Sequence, residues 1–402
     1  MKQAKKQPGQ SLPVYDKTSI IVLAVAAAVF LALLFWLRSE DILHGSGKLF
    51  SPFSDQEFVE YEKGTVVEIL SDDSQPDEAA DGAYIGSQQL SVKIKSGRYK
   101  GETLQVQNAF GPLSGVRVAE GDSVTLTMKT FTDGTHEAMM NEVNRVPVLA
   151  CFLILFFLAV CLVGGRTGAK SLVGLIFTFV CLFAILIPLL FKGAPMVLTT
   201  LLVCAYIALV SFTVLGGVHR KTISAFLGTV AGTVLAMLFG LAVQSLAKID
   251  GFRIEDAEPL LTMKYQGLVN IGLHGLLVSG IIVSALGAVM DVAMSISSAL
   301  EEVHAANPAL KQQDLFKSGM NIGRDMVGTM TNTLILAFLG CEFTLMLFIY
   351  ARQMTFYHLF STPFVSLEII SGLASSLGMI LAIPLTALIS STLITQKKKK
   401  RK

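Results

Sequence analysis

The sequence predicts an all-α polytopic membrane bundle of about eight transmembrane helices that carries one small extracytoplasmic β domain. Three observations predict it. Of 402 residues, 52% are hydrophobic and 15% charged, whereas a soluble chain carries about a quarter charged residues. The apolar residues fall in eight runs long enough to cross a ~30 Å hydrocarbon slab. One polar stretch, 38–146, interrupts them and alternates with the period of two that strands require.

Residues 1–18 form a polar tail with Lys2, Lys5, Lys6 and Lys17. The run 19–37 follows and ends in FWLRSE, with no small-residue cleavage pattern. It reads as an uncleaved anchor, and its basic flank places the N-terminus in the cytoplasm. Residues 38–146 hold 18 Asp/Glu against 10 Lys/Arg, a net charge of −8. The alternating segments VEYEKGTVVEIL, QLSVKIKS, ETLQVQN and DSVTLTMKT read as strands, with glycines between them. About five strands in this length make a small barrel or sandwich, with an OB-like barrel among the forms that fit. The loop SDDSQPDEAAD at 71–81 lacks the ligand spacing of a calcium loop and reads as a solvated acidic loop.

The membrane domain, 147–392, divides into spans at 147–163, 171–191, 195–216, 222–247, 267–290, 326–350 and 365–392, and a basic tail, 393–402, closes the chain. Arg166 and Lys170, then His219, Arg220 and Lys221, then Lys311, Lys317 and Arg324, then KKKKRK, all fall on one side. Both termini are therefore expected in the cytoplasm. Gly228, Gly232, Ala236 and Gly240 recur every four residues, a ridge for close helix packing.

Composition also excludes. The five cysteines, Cys151, Cys161, Cys181, Cys204 and Cys341, all lie in apolar spans, so no disulfide framework is indicated. HExxH, GxxxxGK[ST] and GxSxG are absent, and the histidines lack metal-ligand spacing. No enzyme, catalytic residue, metal or cofactor is expected. The acidic, aromatic-poor β domain argues against a nucleic-acid partner.

The stretch 267–302 is almost wholly apolar and, as a helix, would be roughly 50 Å long, too long for one plain span. Its polar residues are spaced in register. Asn270 and His274 are i, i+4. Asp291, Ser295, Ser298 and Glu302 are i, i+4, i+7, i+11. Gly280 and Gly287 offer either close helix packing or a break. A charged group at the bilayer midplane costs ~2.5–3.5 kcal/mol or more, so ionisable residues in spans are read as functional candidates. An outer polar cluster of Asn270, His274, Glu342 and Glu368 is a candidate ion or proton site. An inner cluster joins the Asp291 stripe to Asn321, Arg324, Asp325, Thr329 and Asn332, with Asp291 expected to pair with Arg324 and the two stripes to line a cytoplasmic vestibule. In each case the plainer reading is a packed, hydrogen-bonded structural contact.

At GLHGLLVSGIIVSALGAVMDVAMSISSALEEV and SGMNIGRDMVGTMTNTLILAF the chain resembles the YibE/F family of bacterial multi-pass membrane proteins, over roughly residues 140–395. The resemblance implies a bacterial cytoplasmic-membrane protein of Gram-positive type. It supplies neither a substrate nor catalytic residues. Two functions are weighed. One is a secondary transporter or exporter of a small solute or ion, for which the two polar clusters argue. The other is a membrane scaffold or sensor subunit, whose β domain would bind a ligand or a membrane or cell-wall partner.

Overall fold

The computed structural model describes residues 17–43, 59–130, 136–249, 257–267 and 269–395. The N-terminal tail up to residue 16, the acidic loop at 250–256 and the KKKKRK tail lie outside the described residues. The chain forms two compact units: one holds the β-strands and the start of the helix that follows them, and the other holds the remaining long helices.

The β unit is a closed five-stranded barrel with one short extra strand. Its strands are β1 (Val59–Asp72), β2 (Gln75–Asp77), β3 (Ala83–Ile94), β4 (Thr103–Phe110), β5 (Ser123–Thr130) and β6 (His136–Val143). The sheet order is β1-β5-β6-β4-β3-β2, and β1 pairs with β3 as well. Register shifts between Val66 and Glu68 and between Ile69 and Ser71 bend β1, so that one 14-residue strand borders both β3 and β5. Only β4 and β6 run parallel. With β2 set aside, this is the five-stranded Greek-key connectivity of an OB barrel. Alternation fills it: Leu90, Val92 and Ile94 from β3, and Val124, Leu126 and Met128 from β5, are all buried.

Inside the barrel wall sits a polar network. Gln88 and Asn108 are buried. The Asn108 amide donates to Gln88 Oε1 and to the Val116 carbonyl. Gln88 donates to Asp72 and to the Val118 carbonyl, and Val118 N–H donates back to Gln88. Arg117 closes the loop with two hydrogen bonds to Asp72 Oδ2, at 3.1 and 2.8 Å. Hydrogen bonds from Ser74 and Arg117 hold the Asp72 carboxyl well below the usual carboxylate range, and Asp72 in turn raises Arg117.

The helical unit is built on three helices, α5 (Arg220–Ala247), α7 (Leu276–Ala306) and α11 (Pro363–Thr395). Small residues let them approach. A Cβ on Gly232 would lie 2.6 Å from the Ala382 methyl and 2.7 Å from Val289. Gly228 lies against Thr386, and Gly240 against Ile281. Around this core pack α1 (Lys17–Leu43), α4 (Met196–Gly216) and α8 (Gln312–Cys341). The Tyr206 hydroxyl on α4 donates to the Ala26 carbonyl of α1. Gly319 and Gly323 seat α8 on Ala387 and Ile383 of α11.

Among the described residues six helical runs are long and apolar enough to cross a membrane, or seven with one bent pair counted, against about eight expected. Two of the expected spans, 147–163 and 171–191, lie within one of these runs, Val146–Phe191, as two helical stretches that meet at a kink. The run comprises α2 (Val146–Cys181), a π-turn and α3 (Ile187–Phe191), and it is interrupted at Gly165, whose φ of 53° and ψ of −134° are not helical. The expected span 326–350 is the bent pair. Here α8 ends at Cys341, and α9 (Phe343–Ala351) leaves at 65° with Glu342 at the corner. Three short pieces, α6 (Ala257–Tyr265), a 3-10 turn at Leu273–Gly275 and α10 (Phe356–Ser361), complete the described helical unit.

Both ends of the described helical unit lie at one end of the bundle. Ser19 on α1 accepts from the Val218 N–H, and Arg220 donates to the Leu393 and Ile394 carbonyls at the end of α11. Lys221 pairs with Glu301 at 3.4 Å at this same end.

Candidate functional site

Helix α7 is the centre of the bundle and has three buried faces. Leu277, Ile281, Ala285, Val289, Val292, Ile296 and Leu300 are among the residues it buries against its neighbours. Its fourth face is different. Gly280, Ser284, Gly287, Asp291, Ser295, Ser298 and Glu302 follow at steps of three and four and form one stripe. Gly280, Gly287, Asp291, Ser295 and Glu302 are exposed, and Ser284 and Ser298 are half-buried. A Cβ added at Gly280 or Gly287 would meet nothing within 4 Å. The helix runs through both glycines unbroken, so Gly287 is not a break, and neither glycine serves packing among the described residues.

Helix α8 repeats the arrangement. It buries Leu315, Gly319 and Gly323. Asn321, Arg324, Asp325, Gly328, Thr329, Asn332 and Thr333 are exposed. Thr329 and Thr333 satisfy their hydroxyls on carbonyls of their own helix, so they present a mildly polar surface at low cost. Gly323 rests on Ile383, and the neighbouring Ala382 meets Gly232 together with Val289. Asp291 and Arg324, each close to one of these contacts, therefore stand at a similar depth.

The expected Asp291–Arg324 ion pair is not formed. The ion pairs among the described residues include neither side chain. The reason is packing: α8 turns Gly323 into α11 and so turns Arg324 and Asp325 to its open side. The outer cluster is divided as well. Glu342 and Glu368 each lie one turn beyond the contact between Phe338 and Gly372, at the same end of α8 and α11. His274 instead borders a cavity between α4 and α5 whose lining contains neither glutamate. Asn270 sits beside Gly193.

One polar feature of the core carries no signal in sequence. Ser224 on α5, Ser297 on α7 and Ser390 on α11 are fully buried and form a ladder, with Oγ–Oγ distances of 3.3 and 3.0 Å. A second rung joins Ser284 and Ser375. Serines in apolar spans have no period of their own, and these partners are 73 to 93 residues apart.

Among the described residues no group of three or more His, Cys, Asp or Glu is placed to hold a metal ion. What the site offers is two open polar helix faces in an apolar bundle, with Asp291 on one of them in no ion pair among the described residues. A family model described as YibE/F-like protein matches residues 152–396. No curated protein and no solved structure matches the chain.

Proposed function

The chain belongs to the YibE/F-like protein family, and we propose that it works in the bacterial cytoplasmic membrane as a secondary transporter or exporter of a small solute or ion. The observation that carries this reading is the open stripe of α7. A carboxylate facing acyl chains costs ~2.5–3.5 kcal/mol or more, and Asp291 has no ion-pair partner among the described residues to offset that cost. Water beside the stripe removes the penalty. The open faces of α7 and α8 then line an aqueous path, with glycines widening it and Asp291, Arg324 and Asp325 setting its charge. Glu342 and Glu368 mark its other end, at the corner where α8 gives way to α9. Both termini face the cytoplasm in this reading, because Lys17, Arg220, Lys221, Lys311 and Lys317 gather toward one end of the bundle, as the positive-inside bias requires.

The test is side-specific water access. In a chain freed of its five cysteines, single cysteines are placed at Asp291 and at Glu342. Intact cells and inverted vesicles are treated with a membrane-impermeant thiol reagent. Reaction of 291 from the cytoplasmic side only, and of 342 from the outer side only, supports the path. Inertness of both positions in a folded protein removes it.

The barrel favours a second reading, a scaffold or sensor. Tyr84, Phe110 and Arg117 border a cavity of about 850 Å³ on it, and Arg117 stacks on the Tyr84 ring at 4.8 Å. Stoichiometric capture of one partner by the full chain, lost on replacing Tyr84, supports that reading, and failure to capture any partner counts against it.

A further inference from the structure

The cavity bordered by His274 has a composition that the transport reading does not use. It measures about 940 Å³ and lies between α4, α5 and the segment before α7. Its walls are apolar: Leu198 and Leu201 of α4 face Leu241 of α5. Leu198 and Leu241 are about half exposed, at 55% and 41%, so the groove opens sideways between the two helices. One end is polar, with Lys248 and His274, and no carboxylate is among the described lining residues. Gln244 holds the floor by donating to the His274 carbonyl at 2.8 Å.

The depth of that polar end can be read from its neighbours. Lys192 stacks over the Trp36 ring at 5.0 Å and donates to the Leu37 carbonyl. Gly193, the next residue, touches Asn270, four residues before His274. A tryptophan and lysines at one level of an apolar bundle mark the membrane–water interface. The groove therefore runs from headgroup depth into the acyl region, with its cation at the headgroup end.

We infer that this groove holds an anionic phospholipid, its headgroup phosphate at Lys248 and one acyl chain between α4 and α5. A soluble anion would use the lysine but gain nothing from the leucine walls. A zwitterionic lipid would bring its own cation to the lysine.

Native mass spectrometry of the full chain in detergent, with equimolar phosphatidylglycerol and phosphatidylethanolamine, tests the assignment. The expected preference for phosphatidylglycerol is about five-fold, the contribution of one lysine near a charged lipid surface. Lys248 has a left-handed backbone, φ 52°, which asparagine tolerates. Lys248→Asn thus removes the charge without disturbing the turn, and it should bring the preference close to one. Leu241→Trp, which fills the groove, should reduce retention of both lipids. Equal retention of the two lipids by the wild type, or an unchanged preference in Lys248→Asn, overturns the inference. Displacement of the lipid by glycerol 3-phosphate also overturns it, since that would assign the site to a soluble anion.

Discussion

Ser297 and Ser390 share a hydrogen bond of 3.0 Å in the buried interior of the bundle, where α7 meets α11. Ser297 also receives the Ser224 hydroxyl at 3.3 Å, so it is the middle of the ladder. Ser224 has alternatives, the Arg220 and Lys221 carbonyls of its own helix. Removing the middle hydroxyl should therefore cost more than removing the α5 end. Interhelical hydrogen bonds in membranes are worth about 0.6 kcal/mol on average and up to about 1.7. Ser297→Ala should fall near the upper figure and Ser224→Ala near the lower. A double-mutant cycle of Ser297→Ala with Ser390→Ala, read from unfolding in mixed micelles, should show positive coupling. Additive effects would mean that the hydroxyls do not bond.

The glycines of α5 and α7 look alike in sequence and should behave in opposite ways. Gly228 and Gly232 face Thr386 and Ala382 with no room for a methyl group. Alanine there forces α5 and α11 apart, and overpacking of this kind costs about 1–3 kcal/mol. Gly280 and Gly287 face open space. Alanine at either should leave the melting temperature unchanged or raise it slightly, since glycine in a helix is worth about 0.5–1 kcal/mol less than alanine. Thermal unfolding of Gly232→Ala and Gly287→Ala in one detergent decides this. Equal losses would show that the α7 stripe is packed.

That contrast shows how far the sequence reaches. Spacing reveals which residues share a helix face: the stripe from Asp291 to Glu302 and the ridge from Gly228 to Gly240 are both legible as periodicities. Spacing does not reveal what the face meets. The α5 ridge meets another helix, whereas the α7 stripe touches α11 at Ser284 and faces open space at Gly280 and Gly287, and nothing in either segment says which. The Asp291–Arg324 pairing fails for the same reason, because α8 rotates to seat Gly323 on Ile383 and carries Arg324 away. Barrel strands were legible from alternation. The closure was not, because it depends on bulges that let β1 serve two neighbours.

In the barrel, the Asp72–Arg117 contact gives a pH prediction. An unfolded aspartate titrates near 3.9. Ser74 and Arg117 hold the folded carboxyl well below that, so its contribution is present in full above about pH 4 and is lost as pH falls through the lowered folded value. The loop 111–118, tied down through Gln88, Asn108 and Arg117, should stay protected from hydrogen exchange from pH 7 down to about pH 4. Asp72→Asn should loosen it at every pH in that range. Unaltered protection in the variant would assign the loop's order to Gln88 and Asn108 alone.

Asp291→Leu separates water from lipid at the α7 stripe. If acyl chains covered that face, the aspartate would cost ~2.5–3.5 kcal/mol there, and replacing it with leucine should stabilise the protein by a similar amount. If water fills the space, leucine gains no burial, and surface substitutions of this kind stay within about 0.5 kcal/mol. The transport reading requires the second result. It also requires that Asp291→Leu and Asp291→Asn, both folded, lose reactivity-linked water access at neighbouring Ser295→Cys to different degrees. Leucine dries the stripe, whereas asparagine keeps it wet. A stabilisation of several kcal/mol in Asp291→Leu would place lipid against α7 and move the search for a path to the corner at Glu342.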